Sequence, residues 1–264
     1  MLILNGVSTP SSIWLQAVAE LAKLTGAAAL EYFRRGFDVE RKADGSPVTV
    51  ADRDAERRAR DWLARRFPDD SVVGEEWGTS VGRSGRTWLL DPIDGTRSFV
   101  RGVPLWGSLV ALVEGEVVLA GAAAFPAVEE TLASARGEGC WHNGARCQVS
   151  SLANLSDATA LTSDTQRFSD VATRQAWDTL AGRVAETRTW GDCYGYLLVA
   201  TGRAEIMIDV GLHPWDIACF APIIEEAGGH LTDFSGKPYP PLETAIASNA
   251  VLAAPVRQLW KSVR

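Results

Sequence analysis

The sequence predicts an α+β fold of stacked helix and sheet layers, and three observations lead there. A stretch near the N-terminus carries apolar residues at helical spacing, and a second, arginine-rich helix follows it. Between residues 71 and 135 the chain breaks into short β-rich runs. After about residue 150, strand-like and helix-like segments alternate. Elements with one apolar face bury it against the next layer. With 264 residues, 46% of them apolar and 22% charged, the chain has ample material for such a core. No internal repeat or Pro/Ser-rich linker divides it. Any two halves should therefore pack tightly, either as an α+β half at 1–139 and an α/β half at 140–264 or as one domain.

In chain order, Ser11 or Ser12 caps a first helix reaching about residue 33, with Ile13, Ala17, Leu21, Leu24, Ala28 and Tyr32 on one face. Residues 42–47 are punctuated as a loop or hairpin turn. A second helix follows over 49–67 and stops at Pro68. Its arginines alternate with Asp52, Asp54, Glu56 and Asp61, which reads as a solvated, ion-paired face and not as a phosphate-binding stripe. Strands are expected at 71–74, 87–90, 108–113, 117–124 and 131–135, with a tight turn over 136–145. Beyond it come a strand at 158–162, a helix at 170–184, a strand at 187–190, a helix at 194–201 and a strand at 205–210. A helix over 214–227 is closed by Gly228 and Gly229. Strands at 230–234 and 245–248 and a last helix near 251–263 complete the pattern.

Composition excludes several classes of function. A net charge of −7 and a pI near 5.1 leave no surplus of Lys and Arg for a nucleic-acid backbone. Cys140, Cys147, Cys193 and Cys219 are scattered without a CxxC pair, which suits a reducing cytoplasm. The three histidines lack zinc-site spacing to any cysteine. The first residues carry no basic stretch ahead of a long apolar run, and no uninterrupted apolar window approaches 18 residues. Neither a signal peptide nor a membrane span is expected.

The chemistry gathers at Asp91-Pro-Ile-Asp94-Gly-Thr96. An apolar strand delivers Asp91 to its end, Pro92 stiffens the turn, and Gly95 lets backbone approach a ligand. Amides from Gly95 onward, at the start of a short helix, suit a phosphate group. Glu75 follows another short strand, and Asp216 opens a helix, where it would equally serve as a cap. Glu75, Asp91, Asp94 and Asp216 form an oxygen-only ligand set, the preference of Mg²⁺ with Mn²⁺ as a substitute.

These segments, with Val48-Thr-Val-Ala-Asp52, Gly74-Glu75-Glu76, His213-Pro-Trp-Asp216 and Glu226-Ala-Gly-Gly229, resemble the inositol monophosphatase superfamily from about residue 12 to the C-terminus. The resemblance implies a layered αβαβα sandwich and a magnesium-dependent phosphate monoester hydrolase, commonly a homodimer. It implies that Glu75, Asp91, Asp94, Asp216 and the Ile93 carbonyl hold two or three Mg²⁺ ions. Thr96 would contact the phosphate or attacking water and pair with Asp52, so Glu75, Thr96 and Asp52 are the candidate catalytic residues. The Gly95 and Thr96 amides would bind phosphate, and Lys42 matches a basic position. Because every ligand position holds a carboxylate, a catalytically dead scaffold fits poorly.

Arg97-Ser-Phe-Val-Arg101 and Trp190-Gly-Asp192-Cys-Tyr194-Gly are similar to the histidinol-phosphate phosphatase branch of that superfamily, which serves histidine biosynthesis. Its substrate carries an amine and an imidazole. Asp192 and Asp209 suit both through charge-assisted hydrogen bonds, and Trp190 or Tyr194 suits the ring. The alternative is an inositol monophosphatase or a broad-specificity sugar-phosphate phosphatase. Bisphosphate substrates are disfavoured because no extra basic cluster is evident.

Overall fold

A computed structural model of the chain describes residues 12–35, 39–41, 47–238 and 243–261. Lys42 and most of the expected turn over 42–47 lie outside the described residues. Helix α1 (Ile13–Leu30) begins at Ser12, whose hydroxyl accepts the Leu15 N–H. Strands β1 (Val39–Arg41) and β2 (Pro47–Thr49) pair antiparallel. Helix α2 (Val50–Arg66) follows directly, started by a reciprocal cap between Thr49 and Asp52.

The next strands build one eight-stranded sheet. They are β3 (Ser71–Gly74), β4 (Gly78–Ser80) and β5 (Arg86–Asp94), then, after the short helix α3 (Thr96–Phe99), β6 (Gly107–Glu114) and β7 (Val117–Phe125). Strands β8 (Glu130–Ala135), β9 (Cys140–His142) and β10 (Ala145–Arg146) complete it. The order is β10-β9-β8-β7-β6-β5-β3-β4, antiparallel except where β3 runs parallel to β5. The expected division between residues 139 and 140 cuts this sheet, because Cys140 on β9 sits opposite Ser134 on β8. The stretch expected to be only a turn contains most of the β9–β10 hairpin. Asn143 (φ 48°) and Gly144 (φ 81°) make its two-residue connection.

Alternation then begins with β11 (Thr159–Thr162), α4 (Val171–Ala181), β12 (Glu186–Arg188), α5 (Cys193–Ala200) and β13 (Ile206–Val210). Helices α6 (Pro214–Ile217) and α7 (Phe220–Glu226), strands β14 (Gly229–Thr232) and β15 (Thr244–Asn249), and α8 (Ala253–Lys261) close the chain. The second sheet has the order β12-β11-β13-β15-β14, with β11 parallel to both its neighbours. The single helix expected over 214–227 is broken at Ala218–Cys219. Pro222 has no N–H to return to the Ala218 carbonyl, which accepts from Ala221 N at 3.2 Å instead.

Apolar side chains fill the four spaces between five layers. Leu15, Val18 and Leu21 of α1 and Trp62 and Leu63 of α2 pack on one face of the first sheet. The other face meets α5 and α7, whose far side meets the second sheet through Leu161, Met207 and Ala247. Helices α4 and α8 cover the outer face of that sheet around Ile206, Ile208 and Ile246. Each fully buried Leu or Phe contributes roughly 1.5–3 kcal/mol. The result is an αβαβα sandwich. By length and composition alone α1 is apolar enough to cross a membrane, but its buried face belongs to the first core. Arg57 and Arg58 of α2 are ion-paired as expected, Arg57 with Asp54 and Asp61, and Arg58 with Glu31 and Asp54.

Candidate active site

Strand β5 loses its register with β6 between Asp91 and Asp94, and the irregularity turns the chain into the cavity. Asp91 accepts the Ile93 N–H at 2.9 Å, and Ser108 Oγ donates to the Pro92 carbonyl at 2.5 Å, so the turn is fixed from both sides. Gly95 then adopts φ 81°, where a Cβ would stand 2.9 Å from the Leu105 carbonyl oxygen. Helix α3 starts there, and Phe99 anchors it edge-on against Trp106 at 4.8 Å between ring centroids. Thr96 Oγ1 donates to the Ile93 carbonyl at 2.9 Å.

Parallel pairing of β3 with β5 brings Glu75 beside Asp91, and the Glu75 N–H donates to the Leu90 carbonyl at 3.2 Å. Asp216 arrives from α6, where its carboxylate accepts the His213 N–H at 2.8 Å. It therefore caps its helix and also reaches the site. Asp91, Asp94 and Asp216 each present an oxygen within 4.8 Å of the others. Together with Glu75, Ile93, Gly95 and Thr96 they line a cavity of about 490 Å³.

Burial first, and neighbouring carboxylates second, push Asp91 and Asp94 well above the usual carboxylate range. Burial raises Asp216 to about 7 against the pull of the His213 N–H. Among the described residues no ion pair reaches Asp91, Asp94 or Asp216. Mutually repelling, oxygen-only donors, Asp91 among them buried and none of the three ion-paired, fit a hard divalent ion, so the residues present suit the expected metal.

The same burial predicts a pH effect. Asp52 and Asp209 are also raised by desolvation to about 7, against about 3.9 in an unfolded chain. Their folded-state pKa lies above the unfolded one, so the fold holds extra protons between those values. Stability of the metal-free protein should fall as pH rises from about 4 to 7 and level off above. Thermal unfolding at stepped pH in chelator should show that descent. Added Mg²⁺ should raise the midpoint more at pH 7.5 than at pH 5, and a flat metal-free profile would contradict the burial argument.

On the substrate side, Asp192 precedes α5 with φ 49° and ψ −152°, a conformation other residues than glycine adopt at a cost of about 1–3 kcal/mol. Its N–H donates to Ser163 Oγ at 2.8 Å, but its side chain makes no cap. A carboxylate oxygen of Asp192 instead stands 3.5 Å from where a Cβ on Gly95 would be. The next amide, Cys193 N–H, donates to Asp94 Oδ2 at 2.5 Å and ties the second sheet's helix to the first sheet's turn. Burial pushes the Cys193 thiol well up, which keeps it protonated.

Three expected residues stand elsewhere than anticipated. Asp209 is 3% exposed on β13 and lies behind Ser163, whose hydroxyl donates to it at 3.0 Å; it does not line the cavity. Trp190 is 44% exposed with the Arg188 guanidinium 5.6 Å from its ring, also outside the lining. Asp52 does not bond Thr96. Its Oδ2 accepts from Thr49 N and Oγ1 at 2.8 and 2.6 Å, because the residue occupies the third position of α2 and closes the cap. Conversely, Ser163, Asp164 and Arg167 line the cavity without having been singled out. They follow β11, and the carboxyl end of a parallel strand was the available signal. Arg97 and Arg167 also belong to the lining, among six carboxylates, and Arg167 donates to the Gly211 carbonyl at 3.1 Å.

Comparison with known proteins agrees with this architecture. A model of the inositol monophosphatase family matches residues 12–263. A histidinol-phosphatase of Chlorobaculum parvum is 44% identical over 225 residues, covering 84% of this chain and 86% of that protein. A histidinol-phosphatase of Mycobacterium tuberculosis is 39% identical over 219 residues, covering 81% and 84%. The structure of a Thermotoga maritima IMPase superposes with a TM-score of 0.84 at 31% identity, over 94% of this chain and 97% of that one.

Proposed function

The chain belongs to the inositol monophosphatase family, and from that premise we propose that it hydrolyses L-histidinol phosphate to L-histidinol and phosphate in histidine biosynthesis. It is a phosphoric monoester hydrolase. Glu75, Asp91, Asp94, Asp216 and the Ile93 carbonyl are the proposed holders of two or three Mg²⁺ ions, replaceable by Mn²⁺. Held by these residues, a divalent ion would supply water activation and charge balance for phosphoryl transfer. The Gly95 and Thr96 amides orient the phosphate. Asp52 contributes at a distance by holding Thr49 and the start of α2. We further propose a homodimer working in the cytoplasm.

The observation that carries the substrate assignment is Asp192, a carboxylate turned away from its helix and toward Gly95 inside the same cavity. A negative charge beside a phosphate site repels the phosphate and suits a substrate whose other end is cationic. Asp209 contributes through Ser163 by holding the segment that carries Asp192. A second reading, an inositol or broad sugar-phosphate phosphatase, is favoured by Arg97 and Arg167 in the lining, which suit donation to hydroxyl-rich or doubly phosphorylated esters.

Phosphate release from L-histidinol phosphate, inositol 1-phosphate and fructose 1,6-bisphosphate, each with and without Mg²⁺, separates the two. A preference of at least about tenfold for histidinol phosphate is expected, following from one charge-assisted hydrogen bond. Comparable rates on all three would withdraw the substrate assignment and leave the phosphatase in place.

A further inference from the structure

Glu56 lies on α2, on the helix whose acidic residues read in sequence as a solvated face, yet it is fully buried. Its carboxylate faces the turn that carries Glu75. Glu56 Oε2 accepts the Glu76 N–H at 2.7 Å and Oε1 accepts the Trp77 N–H at 3.2 Å. Arg60, one helical turn on, donates Nε to Oε1 at 2.8 Å and balances the buried charge. A Cβ on Gly74 would fall 2.0 Å from Glu56 Oε1, so the carboxylate occupies the space a side chain at 74 would need. With the Glu75 N–H on the Leu90 carbonyl, three successive amides are pinned, and Glu75 is directed into the cavity beside Asp91. Glu56 itself does not line that cavity.

We infer that Glu56, together with Gly74 and Arg60, is a positioning device that sets metal affinity by fixing the backbone on both sides of Glu75. The inference rests on the proposed role of Glu75 as a metal ligand. The chemistry requires a carboxylate. Two N–H donors and a guanidinium converge on its two oxygens, and a glutamine would turn an NH₂ toward a donor. A buried carboxylate in this setting holds amides more firmly than a neutral acceptor would.

The test is Mn²⁺ titration of the metal-free full-length protein, read from the free-ion electron paramagnetic resonance signal without substrate. Thermal unfolding and kcat at saturating Mg²⁺ accompany it. Glu56→Gln should weaken Mn²⁺ binding about tenfold or more, the usual effect of losing an outer partner of a metal site. Its kcat at saturating metal should stay within about threefold of the parent, because the ligands themselves are intact. Gly74→Ala changes no charge and presses on the same carboxylate from the other side, so it should also weaken Mn²⁺ binding. If Glu56→Gln does not fold, the alanine variant decides alone. Parent-like Mn²⁺ affinity in the variants that fold overturns the inference while leaving Glu75 a ligand. Failure of the parent protein to bind Mn²⁺ overturns the metal reading and this inference with it. Lowered thermal stability with unchanged Mn²⁺ affinity assigns Glu56 a purely structural role and overturns the inference as well.

Discussion

Replacing Asp94 by asparagine should reduce phosphatase turnover by at least about 100-fold. Loss of an outer partner of a metal site already costs about 10- to 100-fold, and Asp94 is a proposed ligand itself. The substitution removes one charge from the cluster with Asp91 and Asp216. It also disturbs a second contact, because Oδ2 accepts the Cys193 N–H, and an amide NH₂ rotated into that place would meet a donor. Assay over a wide Mg²⁺ range distinguishes the two effects. Activity that recovers as Mg²⁺ rises reports weakened binding, whereas activity that stays low at saturation reports misplaced chemistry. Near-normal turnover at ordinary Mg²⁺ would remove Asp94 from the site altogether. The fold should survive, since dispersing like charges in a buried cluster relieves repulsion.

Asp192→Asn should lower kcat/KM for histidinol phosphate by about 10- to 100-fold, the value of one charge-assisted hydrogen bond. For inositol 1-phosphate it should change kcat/KM by less than about threefold. Asparagine keeps the size of the side chain and tolerates positive φ better than most residues, so the Ser163 bond to the backbone N–H is retained. Asp192→Gly provides the complement. It relieves the backbone cost at φ 49° and should leave thermal stability unchanged or raised while losing the same selectivity. Equal losses on both substrates would make Asp192 a structural residue of the loop.

Much of this arrangement was legible in the chain itself, for identifiable reasons. Strand β3 occupies the residues expected of it, and β5 to β8 extend theirs by only a few, because apolar runs bounded by turn residues leave little choice of period. Asp91, Asp94 and Asp216 converge as anticipated, since strand ends and helix starts fix where their carboxylates stand. What escaped was set by tertiary contacts. Nothing local distinguishes Glu56 from Asp61 on the arginine-rich helix, yet one is buried under the Glu75 turn and the other pairs with Arg57 at the surface. Asp209 looked like a ligand contact because it carries charge near the site, but β13 holds it behind Ser163. Trp190 was read through its ring chemistry, and the ring turns outward beneath Arg188. Arg167 follows β11, whose end was expected at residue 162, but that this end opens on the site depends on its parallel pairing with β12 and β13, which is a tertiary choice.

The bond from Cys193 N–H to Asp94 Oδ2 has a consequence for how the molecule could be divided. Asp91 and Asp94 belong to the chain before the connection over 147–158, whereas Asp192 and Asp216 belong to the chain after it. A protease cut within that connection would yield two fragments, neither with a full complement of groups. Activity would be absent from each and would return only on their reassociation. Turnover in such a mixture would count reassembled pairs, and the helical contents of the separate pieces would not predict it.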